Sequence, residues 1–351
     1  MKSTIRTAIF GNGFARTTIL PCLRQVNGVE VAGLSSPNQP RAAETARAFG
    51  IPRIEADHRE LLDRVRPDLV FVVTPPLVHA SMVIDALEAG CHVVCEKPMA
   101  MNAAEAERMA ALARERPGQA ALVDHELRFL PARRRMRELL RQGWIGRPWR
   151  AAYTVESPSR RSPEVPWSWW SDAAQGGGAW GALGSHAVDT LRWLLGEPTG
   201  PARGRLGVFH RERLDPATGS RRVATADEYA AALVPFPGGV EGAVIVSMVE
   251  PKRRHTIELI GEEGALRVAE QGALESWEGG RWKPVEVPEE LPPAAELSIP
   301  DTDWARAFLL FARDLAAALL AGNPPPEEAA TFEDGWRTQR VLDELRDRAG
   351  S

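Results

Sequence analysis

A chain of 351 residues, 44% apolar and 26% charged, has material for full cores in two ordinary soluble domains. Its net charge of −4, with no long basic tract, argues against nucleic acid as a partner. The three cysteines cannot all pair, no apolar run approaches the roughly 20 residues of a membrane span, and the apolar start is too short for a signal peptide, so a reducing cytoplasmic setting is expected.

In chain order, Thr7 to Phe10 reads as a strand running into Gly11-Asn12-Gly13-Phe14-Ala15-Arg16, with a helical stretch around Leu20 to Val26. Strand, glycine turn and helix form the context of a dinucleotide cradle. Gly11 permits the tight turn, Gly13 lets the backbone approach a pyrophosphate, and Arg16 stands where Gly or Ala completes the usual fingerprint. Phe14 and Ala15 complete the candidate phosphate turn. The next strand, Val29 to Leu34, ends in Ser35-Ser36-Pro37, where an NAD site favours an acid for the ribose hydroxyl. Ser35 and Ser36 with Arg41 suit a 2′-phosphate better, so the expected cofactor is NAD(P), with NADP favoured. Arg41 can equally be a solvated residue of the helix Arg41 to Phe49.

Leu69 to Val73 is continuously apolar, the pattern of a strand buried on both faces. It ends in Thr74-Pro75-Pro76, and His79 begins a helix through Ala89. The strand around His92 to Cys95 then stops in Glu96-Lys97-Pro98, since Pro98 has no N–H and holds Lys97 extended. A lysine at the carboxyl end of such a strand stands where ligands bind in α/β sheets. A helix over Met101 to Arg114 and a strand over Ala120 to Val123 complete βαβ units with a parallel sheet.

After Asp124 the texture changes. A helix from Pro131 to Arg141 carries the run Arg133-Arg134-Arg135, expected to be a solvated face, and Trp149 to Val155 is strand-like. A Pro- and Trp-rich loop holds Trp167, Trp169 and Trp170, which either wall a substrate pocket or pack the loop. Gly176-Gly177-Gly178 and Gly184-Ser185-His186 precede a helix to Leu195. From about Leu206 to Leu291 the period-two strands read as one large antiparallel sheet. Helices over Trp304 to Leu320 and Glu333 to Arg348 follow. Asp124-His125-Glu126 has the residue types of a metal site, but alternation along a strand would part them, and no zinc spacing occurs. No metal is expected.

Taken together, Gly11-x-Gly13-Phe14, Thr74-Pro75-Pro76-x-x-His79, Glu96-Lys97-Pro98, Arg128-Phe129-x-Pro131 and Gly176-Gly177-Gly178…Gly184-Ser185-His186-x-x-Asp189 resemble the Gfo/Idh/MocA oxidoreductases. The resemblance implies a Rossmann domain over 1–124 and a substrate and oligomerisation domain of α+β type, with a mostly antiparallel sheet, over 125–326. It implies a final helix, 327–351, packed back on the first domain, and a homodimer or homotetramer formed through the open sheet face. By the same resemblance, Lys97 lies beside the nicotinamide, with Thr74, Pro75, His79 and Glu96 on the cofactor side. His186 is the general acid/base, and Arg128 and Asp189 stand on the substrate side; Trp169 joins them where the tryptophan loop walls the pocket and does not merely pack. The substrates implied are sugars, cyclitols or related small molecules.

Hydride transfer needs a cofactor cradle, a proton acceptor and exclusion of water. Lys97 can polarise a carbonyl or stabilise an alkoxide while His186 exchanges the proton; which is the formal acid/base stays open. Many members of the family have Asp four residues before the histidine, where this chain has Ala182, and this leaves the substrate open. Two other readings remain: a non-catalytic cofactor-binding regulatory or scaffold protein, and a glycosidase-type hydrolase that recycles NAD.

Overall fold

The computed structural model describes residues 3–269, 272–288 and 292–349. Met1 and Lys2 of the apolar start, and Leu291 at the end of the expected strand-rich stretch, lie outside the described residues. Contacts divide the chain into two units, Met1–Leu130 with Leu291–Trp336, and Pro131–Glu290 with Arg337–Ser351. Among the described residues no helix is long and apolar enough to cross a membrane.

In the first unit, strands β1 (Ile5–Phe10), β2 (Val29–Ser35), β3 (Ile54–Glu55), β4 (Leu69–Val72), β5 (His92–Cys95) and β6 (Ala121–Val123) pair in the order β3-β2-β1-β4-β5-β6, all parallel. The connecting helices are α1 (Leu20–Leu23), α2 (Gln39–Phe49), α3 (His58–Val65), α4 (His79–Glu88) and α5 (Ala103–Arg114). Strand order reverses between β1 and β4, which makes their carboxyl ends the crevice of a doubly wound sheet.

The second unit begins with α6 (Pro131–Arg141), β7 (Pro148–Glu156) and α7 (Ser185–Leu195). Then follow β8 (Arg203–Gly207), the hairpin β9 (Glu212–Leu214) and β10 (Arg221–Val223), β11 (Tyr229–Pro235), β12 (Glu241–Ser247), β13 (Arg254–Gly261), β14 (Ala265–Val268), β15 (Leu274–Glu278) and β16 (Arg281–Pro284). Apart from the hairpin, these strands form one sheet, β16-β15-β14-β13-β7-β12-β11-β8. It is antiparallel except between β7 and β12. The arginine run is not wholly a solvated face. Arg133 is buried at 2% exposure, and its guanidinium donates to Thr190 Oγ1 (3.1 Å), Tyr153 OH (3.1 Å) and His255 Nε2 (2.8 Å).

Two helices close the chain, α8 (Asp303–Ala321) and α9 (Phe332–Ala349). The division into units differs from boundaries at 124 and 326, because α8 finds its partner in the first sheet. Alternation along that sheet makes two cores. Phe10, Val70, Val72, Val93 and Cys95 meet Leu61, Val83, Leu87 and Met109 on one side. On the other side Ile9, Phe71 and Val94 meet Phe308, Phe311 and Leu315 of α8. The last helix is shared. Phe332 joins the first unit's core, whereas Leu342 and Leu345 join the core of the second, so most of α9 does not return to the first domain.

Candidate functional site

Along the carboxyl edge of the parallel sheet, the strand ends carry the residues singled out by sequence. After β1, Gly11 has φ +103°, its amide donates to Ser35 O at 2.8 Å, and a Cβ there would strike the Val73 carbonyl oxygen. Only glycine fits. The next residue, Asn12, is buried, and neither its side-chain oxygen nor its nitrogen has a hydrogen-bond partner among the described residues. Buried amides normally find partners, so this one fits a polar ligand group laid on the turn. At Gly13 a Cβ would meet nothing within 4 Å, which leaves that backbone uncovered. Phe14 is exposed, and Ala15 opens a π-helical turn, Ala15–Ile19, ahead of Pro21, whose missing N–H prevents regular α-helical bonding. Arg16 turns outward to Glu44 at 3.2 Å.

Beyond β2, Ser35 and Ser36 are buried; Ser36 Oγ accepts from the Asn38 amide at 3.3 Å, and Asn38 caps α2 through the Arg41 amide at 3.1 Å. The Arg41 side chain is exposed in that first helical turn. After β4, Thr74 and Pro75 lead to His79, which is wholly buried with Nε2 2.7 Å from Thr74 O and Nδ1 3.1 Å from Pro98 O. His79 therefore braces the two turns from inside. Burial pulls its pKa down to about 4, and the nearby Lys97 charge acts in the same direction, against the carbonyl contacts.

At the end of β5, the Glu96 amide donates to Val72 O at 2.9 Å and the Lys97 amide to the Glu96 carboxylate at 3.2 Å. Lys97 is half-buried and its peptide bond to Pro98 is cis. Burial pushes the Glu96 carboxyl up, with Lys97 opposing. At the end of β6 stands Asp124, 2% exposed, its carboxyl held well above the usual range by burial and then by Glu126 and Glu96. The strand ends at Val123 and Glu126 opens a 3₁₀ turn, so strand alternation does not part Asp124, His125 and Glu126; all three are buried. Arg128 is buried as well, donating to Glu328 O at 3.4 Å and lying 3.6 Å from Asp334. It fastens the segment before α9 and the first turn of that helix, where Gly335 gives room for Met99 and Val123.

In the second unit, a π-helical turn, Trp180–Gly184, leads directly into α7. Such turns concentrate at functional sites. Gly184 is required there because a Cβ would enter the Trp180 ring. Ser185, His186 and Asp189 are each 1% exposed, and Ala182 is buried within the π turn. Asp227 holds the start of this turn, accepting from the Trp180 amide at 2.7 Å, and burial pushes its carboxyl up to about 6. Trp169 and Trp170 stack at 4.7 Å and are half-buried, while Arg222 lies 3.5 Å over the Trp167 ring. Below them Arg213 is fully buried, donating to carbonyls of Arg160 (2.6 Å), Ser162 (3.0 Å) and Val165 (2.9 Å) and pairing with Glu228 at 2.6 Å.

The first unit thus brings Gly11, Ser35, Thr74, Glu96 and Lys97 to one sheet edge, and the second gathers His186 and Asp189 in one helical turn. Sequence reasoning missed Asn12 and Asp124. Asn12 lies between the two fingerprint glycines, and Asp124 follows β6 as Glu96 follows β5.

Residues 5–125 match the family model described as "Oxidoreductase family, NAD-binding Rossmann fold", and residues 133–267 match the model of the GFO/IDH/MocA C-terminal domain. The chain belongs to the Gfo/Idh/MocA family. Among relatives of this family member, an uncharacterized oxidoreductase of Synechocystis is 32% identical over 264 residues, 75% of this chain and 71% of its own length. An oxidoreductase domain protein from Kribbella flavida has a TM-score of 0.88 at 27% identity, covering 100% of this chain and 98% of its own. Levoglucosan dehydrogenase, solved with NADH and L-sorbose, has a TM-score of 0.86 at 22% identity, covering 99% and 97%. The protein is an NAD-binding oxidoreductase, and Gly11 and Asn12 fit the cofactor that its family model names.

Proposed function

We propose that this oxidoreductase moves hydride between a nicotinamide cofactor and a carbinol or carbonyl carbon of a sugar, cyclitol or similar small molecule, with Lys97 and His186 handling the proton. The observation that carries the reading is the placement of Lys97 at the carboxyl end of β5, on the edge that also holds the Gly11 cradle. The cofactor, when bound, supplies the hydride acceptor or donor. Gly11, Asn12, Gly13 and Thr74 are the residues to hold it. On the substrate, the Lys97 ammonium stabilises an alkoxide or polarises a carbonyl, and the His186 imidazole takes or returns the hydroxyl proton. The levoglucosan dehydrogenase bound to NADH and L-sorbose supports a sugar-like substrate.

Replacing Lys97 by Met lowers kcat by about 10²–10⁴-fold while cofactor binding, followed by fluorescence titration, persists. Undiminished turnover of a polyol and ketose panel in that variant overturns the mechanism. For the cofactor, residues 35–41 contain no carboxylate, and Ser35, Ser36 and the exposed Arg41 suit a ribose 2′-phosphate. NADP is accordingly the better substrate by kcat/KM, and a higher value with NAD refutes the preference. The second unit's sheet is the proposed surface for a homodimer or homotetramer.

A further inference from the structure

We infer that Glu96 and Asp124 act as one carboxyl pair with a single proton between them, and that this pair positions Lys97 and sets the charge packed against its turn. The inference rests on the proposed role of Lys97. Strands β5 and β6 are neighbours in parallel register, Cys95 opposite Val123, so the next residue on each is an acid at the same height. The Asp124 amide donates to Cys95 O at 2.8 Å, and the Glu96 amide to Val72 O at 2.9 Å, which fixes both backbones. The same register sets the two side chains next to each other on adjacent strands. Two ionised carboxylates are acceptors only and repel each other, so a hydrogen bond between carboxyls so placed requires one proton.

The surroundings decide where it rests. Glu96 accepts the Lys97 amide and faces the lysine's charge, both of which favour its ionised form. Asp124 is 2% exposed, its Oδ1 has no partner, and Glu126, itself 4% exposed, repels a charge there. Two further titratable groups felt by the pair, Cys95 on β5 and Cys22 on α1, are thiols pushed up by burial and then by nearby carboxyls. The proton therefore sits on Asp124, which donates to a charged Glu96. The Lys97 turn then meets one negative charge from the pair instead of two.

Asn at position 124 imitates the neutral acid, with an N–H in place of the O–H. Because the folded Asp124 binds its proton above the pH at which the unfolded one releases it, wild-type stability falls as pH rises between those two values. The chemical-denaturation midpoints of the wild type and Asp124→Asn are measured from pH 5 to 9. The pair predicts a gap that widens with pH in favour of the variant; a constant or narrowing gap overturns it. Should that variant not accumulate, Glu96→Gln carries the same readout, since without its neighbour's charge the folded Asp124 ionises earlier and the decline ends at lower pH. An unchanged decline there also overturns the pair. For the effect on Lys97, the pH profile of kcat/KM moves to lower pH in Glu96→Gln and further in the double variant, and superimposable profiles refute the coupling. The stability arm needs no turnover, so it stands or falls separately from the Lys97→Met result.

Discussion

The His79 ring lies between two main-chain oxygens, yet a neutral imidazole has only one N–H to donate. Complete burial still wins, lowering the pKa from 6.5 to about 4. An unfolded chain takes up a proton at 6.5 that the folded chain refuses until about 4. The stability His79 provides is therefore complete above 6.5 and is lost as pH falls towards 4, on the order of 3 kcal/mol in all. His79→Asn removes that dependence, so urea midpoints of wild type and variant converge as pH drops from 7 to 4. Parallel curves would refute the assignment. The Thr74-Pro75-Pro76-x-x-His79 spacing made the residue visible in the sequence, on the cofactor side. Its brace between two turns depends on Pro98, 19 residues away, and on burial that no spacing reports.

Elements were legible wherever one periodicity held. The continuous apolar run at Leu69 to Val73 and the glycine turn after β1 located the parallel sheet, and strict alternation located the large one. The short strand β3 and helix α3 went unread, although Asp57 with Glu60 three residues on is a helix-start signature, and Asp57 does cap the Arg59 amide at 2.7 Å. The parallel β7–β12 pair was likewise hidden, because alternation marks a strand's faces and not its neighbour's direction. On the outward side of this sheet, register lines up Ala231, Ile245, Thr154 and Thr256 in one row and Leu233, Ala243, Ala152 and Glu258 in the next. Apart from Glu258, which pairs with Arg150 at 2.8 Å, these are short or apolar side chains, with Leu233 46% and Ile245 36% exposed. Ile245→Lys places a charge in the middle of the proposed assembly face and shifts the mass found by light scattering to that of a monomer. An unchanged mass removes this face from the assembly. The row itself could be read from period-two alternation; its use could not.

At the scale of the molecule, chain order and spatial order part company. The first unit is built from two stretches separated by nearly all of the second, because α8 supplies the apolar layer that Phe71, Val94 and Phe129 pack against. An amphipathic helix announces its apolar face in the sequence but not which sheet will receive it, so the break at 326 could not be corrected without the fold. The smaller tie is a single antiparallel bridge from Leu122 to Thr331, with the Val123 amide donating to Ala330 O at 2.8 Å beside the Glu96–Asp124 pair.

That discontinuity has a consequence on the ribosome. The first 130 residues emerge with one side of their sheet covered only in part, by α1 and α2, and stay so until α8 is made, a wait of about 10–40 s at roughly 5–20 residues per second. A fragment ending at Leu130 should therefore bind a hydrophobic dye and aggregate, and adding the segment 292–336 as a separate peptide should quench both. A well-behaved, dye-silent fragment would mean the N-terminal stretch can close its core by other means.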